Sequence, residues 1–383
     1  MKTKLSYWVH VAALSLMMLI SSCGSEVSYK LSTMPEGVSF TGELSKVRYD
    51  EASKSLVVKG ELTTSEFNAL IALSNDAEYQ NAVMRLFEWT NREEDSRIGL
   101  LRVTVEPLYE SLFSSITAAF TTAYPKADIR LSPLQTDSAL ERIFSGDCRF
   151  ALTVRRLTAS DSLRIQEAKI AVNQIGYLKD AVCLAIHPTN PVNATDLSTL
   201  RESLKGNLKT WKEIASFGSS ESPRFYVPND FRKAFLKDSL LGGAEFGSSV
   251  IFLDTDEAIL DSTQTNKHAV GFVSMLKIGN ALDVRAATRD TTRFKIMGLT
   301  ESKVIPAARP FQANVLLKKY PLAYTIYAVF RTDLGMLPAG YSQHLKGTRE
   351  GEGQTLGFRA GLVPLAARIE LKDPEAEKNA QEQ

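Results

Sequence analysis

The spacing of apolar positions changes character along the chain. In residues 46–60, KVRYDEASKSLVVKG, Val47 and Tyr49 alternate with polar neighbours, a polar run covers Asp50–Lys54, and Leu56–Val58 resume the apolar pattern. Alternation on both sides of a polar turn predicts a β-hairpin. Thr63 and Glu66 stand at capping-box spacing ahead of FNALIAL, which predicts a helix start. Tyr79, Val83, Leu86 and Phe87 fall on one side of a second helix over about 77–89. With NREEDSR at 91–97 read as a charged linker, residues 46–90 form a small α+β module.

From residue 99 strands alternate with helices. LLRVTV has strand character, and Pro107 then sits where a helix tolerates proline, in its first turn. Leu108, Leu112, Ile116 and Phe120 repeat every four residues, the stripe of an amphipathic helix. ADIRLSPL is the next strand, TDSALERIF the next helix with Thr136 or Asp137 as its cap, and CRFALTV a third strand. This rhythm predicts an α/β domain with a largely parallel sheet. Ligands of such sheets lie beyond the carboxyl ends of the strands, near helix N-termini. Three loops, 105–108, 135–138 and 155–159, therefore converge, and the third begins with the doubled Arg155 and Arg156.

Composition narrows the function. The 383 residues carry 45 Lys and Arg against 44 Asp and Glu, with no basic stripe, which argues against a nucleic-acid partner. His187, His268 and His344 are far apart, and no Gly-x-Ser-x-Gly elbow, P-loop or His-Glu-x-x-His occurs, so neither an enzyme nor a metal or cofactor site is expected. Cys148 and Cys183 either form one disulfide or remain unpaired core thiols; the unpaired reading is preferred because Cys183 sits inside AVCLAI. At the amino end Lys2 and Lys4 precede the apolar run VHVAALSLMMLI at 9–20, too short to span a bilayer. It ends in LISSCGS, which resembles the lipobox of bacterial lipoproteins. That resemblance implies a signal peptide at 1–22, lipidation of Cys23, a tether over 23–45, and a cell-envelope protein held to one of the bacterial membranes by its lipid.

Over about 100–370 the chain resembles the phosphate-type substrate-binding proteins of ABC transporters, which have the two-lobed type II periplasmic-binding-protein fold. The resemblance rests on FTTAYPKADIRL, VRRLTASD, GYLKDAVCLAIHPTNPV, LKTWKEI, HAVGFVSM and EGQTLGFRAGLVPL, in family order. It implies one lobe at 99–180 plus 325–370, a second at 181–320, a polar tail at 371–383, and closure around a ligand by a hinge. The function it implies is capture of phosphate or a related small oxyanion for delivery to ABC permease subunits. Two loops depart from the family: VEPLYES replaces a Gly/Ser/Thr-rich phosphate loop, and VPNDFRKAF replaces a Ser-Gly-Thr helix start. These departures leave open a second role, a binding-protein fold repurposed as a non-transport envelope or surface interaction protein.

By position Arg155 matches the family's anion-binding arginine, with Thr158 behind it; a salt bridge to Glu106 or Asp161 is the alternative. Arg156 is expected to face solvent or a carboxylate. Glu106 can suit a helix N-terminus, accept the proton of a monoprotonated phosphate, or neutralise Arg155. Tyr109 offers a hydroxyl or packs. Thr136, Asp137 and Ser138, like Asn229 and Asp230, read first as N-caps and second as ligand contacts. Arg232 or Lys233 could add positive charge from the second lobe, and Asp180 is expected to hydrogen-bond in the hinge.

Overall fold

The computed structural model describes residues 26–215, 220–278 and 293–365. The signal peptide, Cys23 and the polar tail lie outside the described residues. Chain contacts divide the protein into two compact units, with the boundary between Glu93 and Glu94.

In the first unit, Val47–Asp50 and Ser55–Lys59 form an antiparallel hairpin whose turn places Lys54 at a φ of 49°. Residues 26–30, read from sequence as part of a tether, instead form a strand, Glu26–Lys30, along the free edge of Ser55–Lys59. Their pattern explains the correction, because Val27 and Tyr29 alternate with exposed residues as an edge strand requires. Helix Thr64–Ile71 begins in the capping box: the Thr63 hydroxyl accepts from the Glu66 N–H, and Glu66 accepts from the Thr63 N–H at 2.8 Å. Helix Ala77–Thr90 packs against it, with Phe67 and Phe87 stacked at 4.3 Å.

The second unit is built on one continuous path of strands. One lobe contributes Gly99–Val105 flanked in parallel by Ala127–Pro133 and Phe150–Thr153. The other contributes Arg224–Pro228 flanked in parallel by Val250–Leu253 and Ala269–Ser274. The crossover strand Val172–Ile186 serves both, pairing antiparallel with Ala269–Ser274 over Val182–Ile186 and with the return strand Ala323–Arg331 over Val172–Ala181. Parallel neighbours need crossover connections, and helices Glu110–Ala123, Thr136–Phe144 and Asp256–Thr265 supply them. Their apolar faces form the core: Leu112, Phe113, Ile116 and Phe120 are buried, each side chain contributing about 1.5–3 kcal/mol by its removal from water. The result is the two-lobed type II periplasmic-binding fold.

The charged stretch 91–97 is not simply a linker. Glu94 reaches into the second unit's interior, where its two oxygens receive both terminal nitrogens of the buried Arg149 at 2.8 Å each. Arg149 also donates to the carbonyls of Leu100 and Leu334, so its charge is paired and both terminal nitrogens are satisfied, while its buried Nε has no partner among the described residues. Cys148 and Cys183 are both buried, and no disulfide joins them to each other.

Candidate functional site

Each loop of the predicted cluster begins where a parallel strand ends. The Glu106 N–H donates to the Leu152 carbonyl and the Leu134 N–H to the Val105 carbonyl, which ties the three strand ends together. The knot of the cluster is Thr136. Its N–H and hydroxyl both donate to Oε2 of Glu106, at 2.8 and 2.7 Å, and its hydroxyl accepts from the Val154 N–H at 3.1 Å. One side chain thereby joins all three loops. This also corrects the expected cap: Thr136 is the first helical residue, neither it nor Asp137 caps the helix, and Gln135 at the N-cap makes no side-chain cap bond. Glu106, from another loop, does the capping, because its carboxylate finds the helix's first N–H and positive end within reach.

Glu106 itself is only 2% exposed. Burial pushes its carboxyl above the usual value, Thr136 opposes that by hydrogen bonding, and the negative charges of Asp230 and Asp137 push it further up. Asp230 belongs to the second lobe, so a negative charge of one lobe is felt at a carboxylate of the other.

Arg155 sits beside this knot and makes no bond to Glu106. Its Nε donates to Asp137 at 2.8 Å, and a terminal nitrogen donates to Asp161 at 2.6 Å and to the Arg156 carbonyl at 3.0 Å. The two holds differ. Asp161 is buried and fixed by a capping box with Thr158, whose N–H and hydroxyl both donate to it at 2.8 Å. Asp137 is 83% exposed. Thr158 is thus the helix cap that positions Asp161. Arg156 is exposed, but its partner is an aromatic hydroxyl: Nε donates to the Tyr327 hydroxyl at 2.9 Å and the guanidinium lies over that ring. Ser138 is exposed in the helix's first turn.

The second lobe brings the helix start Phe231–Ser239. Asp230 is its N-cap, accepting from the Arg232 N–H at 2.8 Å, while Asn229 donates to Asp254 at 3.1 Å. Arg232 is buried between Asp230 and Asp256, donating to them at 2.6 and 2.7 Å, and Lys233 lies 4.0 Å over the Phe252 ring. Both cations that sequence reading offered to a ligand are therefore engaged within their own lobe.

The hinge is a buried polar cluster around Asp180. Its Oδ2 accepts from the hydroxyls of Tyr109 at 2.7 Å, Tyr324 at 2.8 Å and Ser274 at 2.5 Å; its Oδ1 accepts from the N–H groups of Ala181 and Met275. Burial and the Asp180 charge hold the Tyr109 and Tyr324 hydroxyls well above the usual tyrosine value. Tyr109 thus belongs to the hinge and not to the cleft wall. Phe231 of the second lobe meets the Tyr324 ring edge-on at 5.3 Å. Sequence reading found Asp180 but missed Ser274 and Tyr324, which lie 94 and 144 residues away. It also missed Gln174, which accepts from the Leu157 N–H and donates to the Arg155 carbonyl, pinning the arginine loop from behind.

The chemistry of this cleft is binding chemistry. Hydrogen-bond donors and carboxylates converge, and among the described residues no group of three or more His, Cys, Asp or Glu side chains is placed to hold a metal ion. Carboxylates outnumber these two guanidiniums: Asp137 and Asp161 pair with Arg155, Asp230 and Asp256 with Arg232, and Glu106 pairs with neither.

Comparison with known proteins agrees with the fold. The family profile of the PBP superfamily domain matches residues 90–344. Among solved structures, the chain is similar to a substrate-binding protein assigned to phosphate ABC transport from Clostridium perfringens, solved with bound phosphate: 14% identity, TM-score 0.55, covering 70% of this chain and 100% of that one. It is likewise similar to an ABC-type phosphate transport receptor from Vibrio cholerae, at 15% identity and TM-score 0.55, covering 69% and 99%. No curated protein sequence matches the chain.

Proposed function

Because the chain belongs to the PBP superfamily, we propose that it is a lipid-anchored solute-binding protein that captures phosphate or a related small oxyanion between its lobes and presents it to ABC permease subunits. The family is one of substrate-binding proteins, not of enzymes. The observation that carries the reading is the position of Arg155, beside the point where three strand-end loops of one lobe meet. A guanidinium there suits an oxyanion, since it stays charged and donates in a fork. Asp137 occupies one side of that fork, but an exposed ion pair is worth only about 0–1 kcal/mol, so an incoming anion can displace it. The first-turn N–H groups beyond Thr136 have no intrahelical partner and supply further donors. Both solved neighbours described above are phosphate transport proteins, which supports the same ligand class here. The lipobox-like segment at Cys23 supports attachment to a bacterial membrane surface. The lobes of this receptor are 99–180 with 325–370, and 181–320.

The test is thermal unfolding of the full chain in detergent against phosphate and sulfate, with Arg155→Ala in parallel. The receptor reading expects stabilisation of about 2.7 kcal/mol at a hundredfold excess over the dissociation constant, lost in the variant. A second reading, a non-transport envelope interaction protein, is favoured by one specific observation: Arg155 is paired on both sides and Glu106 already holds the helix's first N–H. It expects no shift with any anion.

A further inference from the structure

The donors of Arg155 divide between two carboxylates that are held differently. The edge formed by Nε and one terminal nitrogen goes to a single oxygen, Oδ1 of Asp137, at 2.8 Å from each. The other terminal nitrogen goes to Asp161 at 2.6 Å and to the Arg156 carbonyl at 3.0 Å. Asp161 is 8% exposed and takes two further bonds from Thr158, so it cannot leave without breaking its helix start. The Asp137 carboxylate is 83% exposed and accepts from no other described residue. The backbone behind the guanidinium is fixed as well, since Gln174 donates to the Arg155 carbonyl at 3.2 Å and accepts from the Leu157 N–H at 3.0 Å. Arg155 is thus anchored on one side by groups that are themselves anchored, and filled on the other by a carboxylate that Arg155 alone holds.

The edge that Asp137 fills is the one a solute needs. Two parallel N–H groups of a guanidinium match two oxygens of an oxyanion, and a carboxylate is itself an oxyanion of that kind. Tethered in the same lobe, it competes as an intramolecular ligand, with the advantage of a high effective concentration. We infer that Asp137 is a latch: in the empty protein it takes the solute's place on Arg155, and the solute binds by turning it out into water while the pair with Asp161 stays. This rests on the reading of Arg155 as the anion hook and adds a regulation to it. Every anion that uses the hook must vacate the same two donors, so the latch lowers the affinity for each by one common factor. An exposed ion pair limits that factor to about five.

Affinities for inorganic phosphate and sulfate are measured by calorimetry at one pH and ionic strength on the full chain in detergent. The proteins are wild type, Asp137→Ala, Asp137→Ala combined with Ser138→Asp, and Asp161→Asn. Asp137→Ala is expected to bind both anions about two- to fivefold tighter, by the same factor for each. The double variant restores the net charge but moves the carboxylate about 100° around the helix, from Asp137 to the exposed Ser138, so the gain should persist. Asp161→Asn should bring no gain, since it loosens the anchored side of the hook. Binding seen in Asp137→Ala and not in wild type would support the latch at a larger factor. Unchanged or weaker binding in Asp137→Ala overturns the latch and leaves the oxyanion reading in place. So does a gain that differs between the anions, that Ser138→Asp cancels, or that Asp161→Asn reproduces. If neither anion binds wild type or Asp137→Ala, the inference and the reading beneath it fall together.

Discussion

Oε2 of Glu106 takes both donors of Thr136, the backbone N–H at 2.8 Å and the hydroxyl at 2.7 Å. An acidic side chain of one loop thereby occupies the end of a helix where an anion would otherwise settle. The same threonine hydroxyl accepts from the Val154 N–H, so three loops depend on one oxygen.

Thr136→Val keeps the shape and removes that oxygen. The buried carboxylate then loses a donor and the Val154 N–H loses its acceptor. Leaving such groups unsatisfied costs about 1–3 kcal/mol, so urea denaturation should show a loss of that order, with Thr136→Ser recovering most of it.

The raised carboxyl of Glu106 sets a direction for pH dependence. Burial is the chief cause, and Asp230 and Asp137 add to it. The folded state therefore binds this proton more readily than the unfolded chain, whose value is near 4.5. Stability must then rise as pH falls through the folded value, because the cost of the buried charge, fully present above it, is relieved on protonation. Glu106→Gln cannot titrate. The stability of the variant relative to wild type should be greatest at neutral pH and should decline as the pH is lowered toward 4.5, measured by denaturation at a series of pH values; a flat difference would contradict the assignment.

The split between what sequence reveals and what it conceals follows contact range. Apolar stripes and the Thr63–Glu66 box act within one or two turns, so the helices at Thr64–Ile71 and Ala77–Thr90 were legible, as was the strand–helix rhythm behind the fold. The cap of Thr136–Phe144 was not, because its acceptor lies 30 residues earlier and nothing local distinguishes Thr136 from a cap. Edge strand Glu26–Lys30 offers only Val27 and Tyr29 as apolar positions, too short a run to mark a strand by itself, and Glu94 is masked by the charges beside it. For Arg155 the neighbours Asp137 and Asp161 stood in plain view, but only folding decides that both turn toward it.

Asp180→Asn probes the hinge. The carboxylate accepts from Tyr109, Tyr324 and Ser274 and from two backbone N–H groups, all of them donors. An amide must turn its NH2 toward some of these donors. The expected cost is about 1–3 kcal/mol for the groups left unmatched. Because the cluster joins both lobes through the crossover and return strands, hydrogen exchange should speed up at Tyr324 and Met275 together, and faster exchange confined to one strand would count against a shared hinge.

Gly335 tests the Glu94–Arg149 pair by steric means. Its φ of 68° lies where a side chain is strained, and a Cβ there would fall 1.8 Å from Oε1 of Glu94 and 2.6 Å from a terminal nitrogen of Arg149. The obstacle is not a free-swinging tip: Glu94 is pinned by two bonds from Arg149, which is itself bonded to the Leu100 and Leu334 carbonyls. Gly335→Ala must therefore push Glu94 off its partner and leave a buried guanidinium uncompensated, a fault worth about 3–5 kcal/mol when one member of such a pair is lost. Glu94→Gln leaves Gly335 in place yet removes the compensating charge, so it should destabilise by a comparable amount. If Gly335→Ala is tolerated within about 0.5 kcal/mol, as an ordinary surface change would be, the buried pair does not hold this loop.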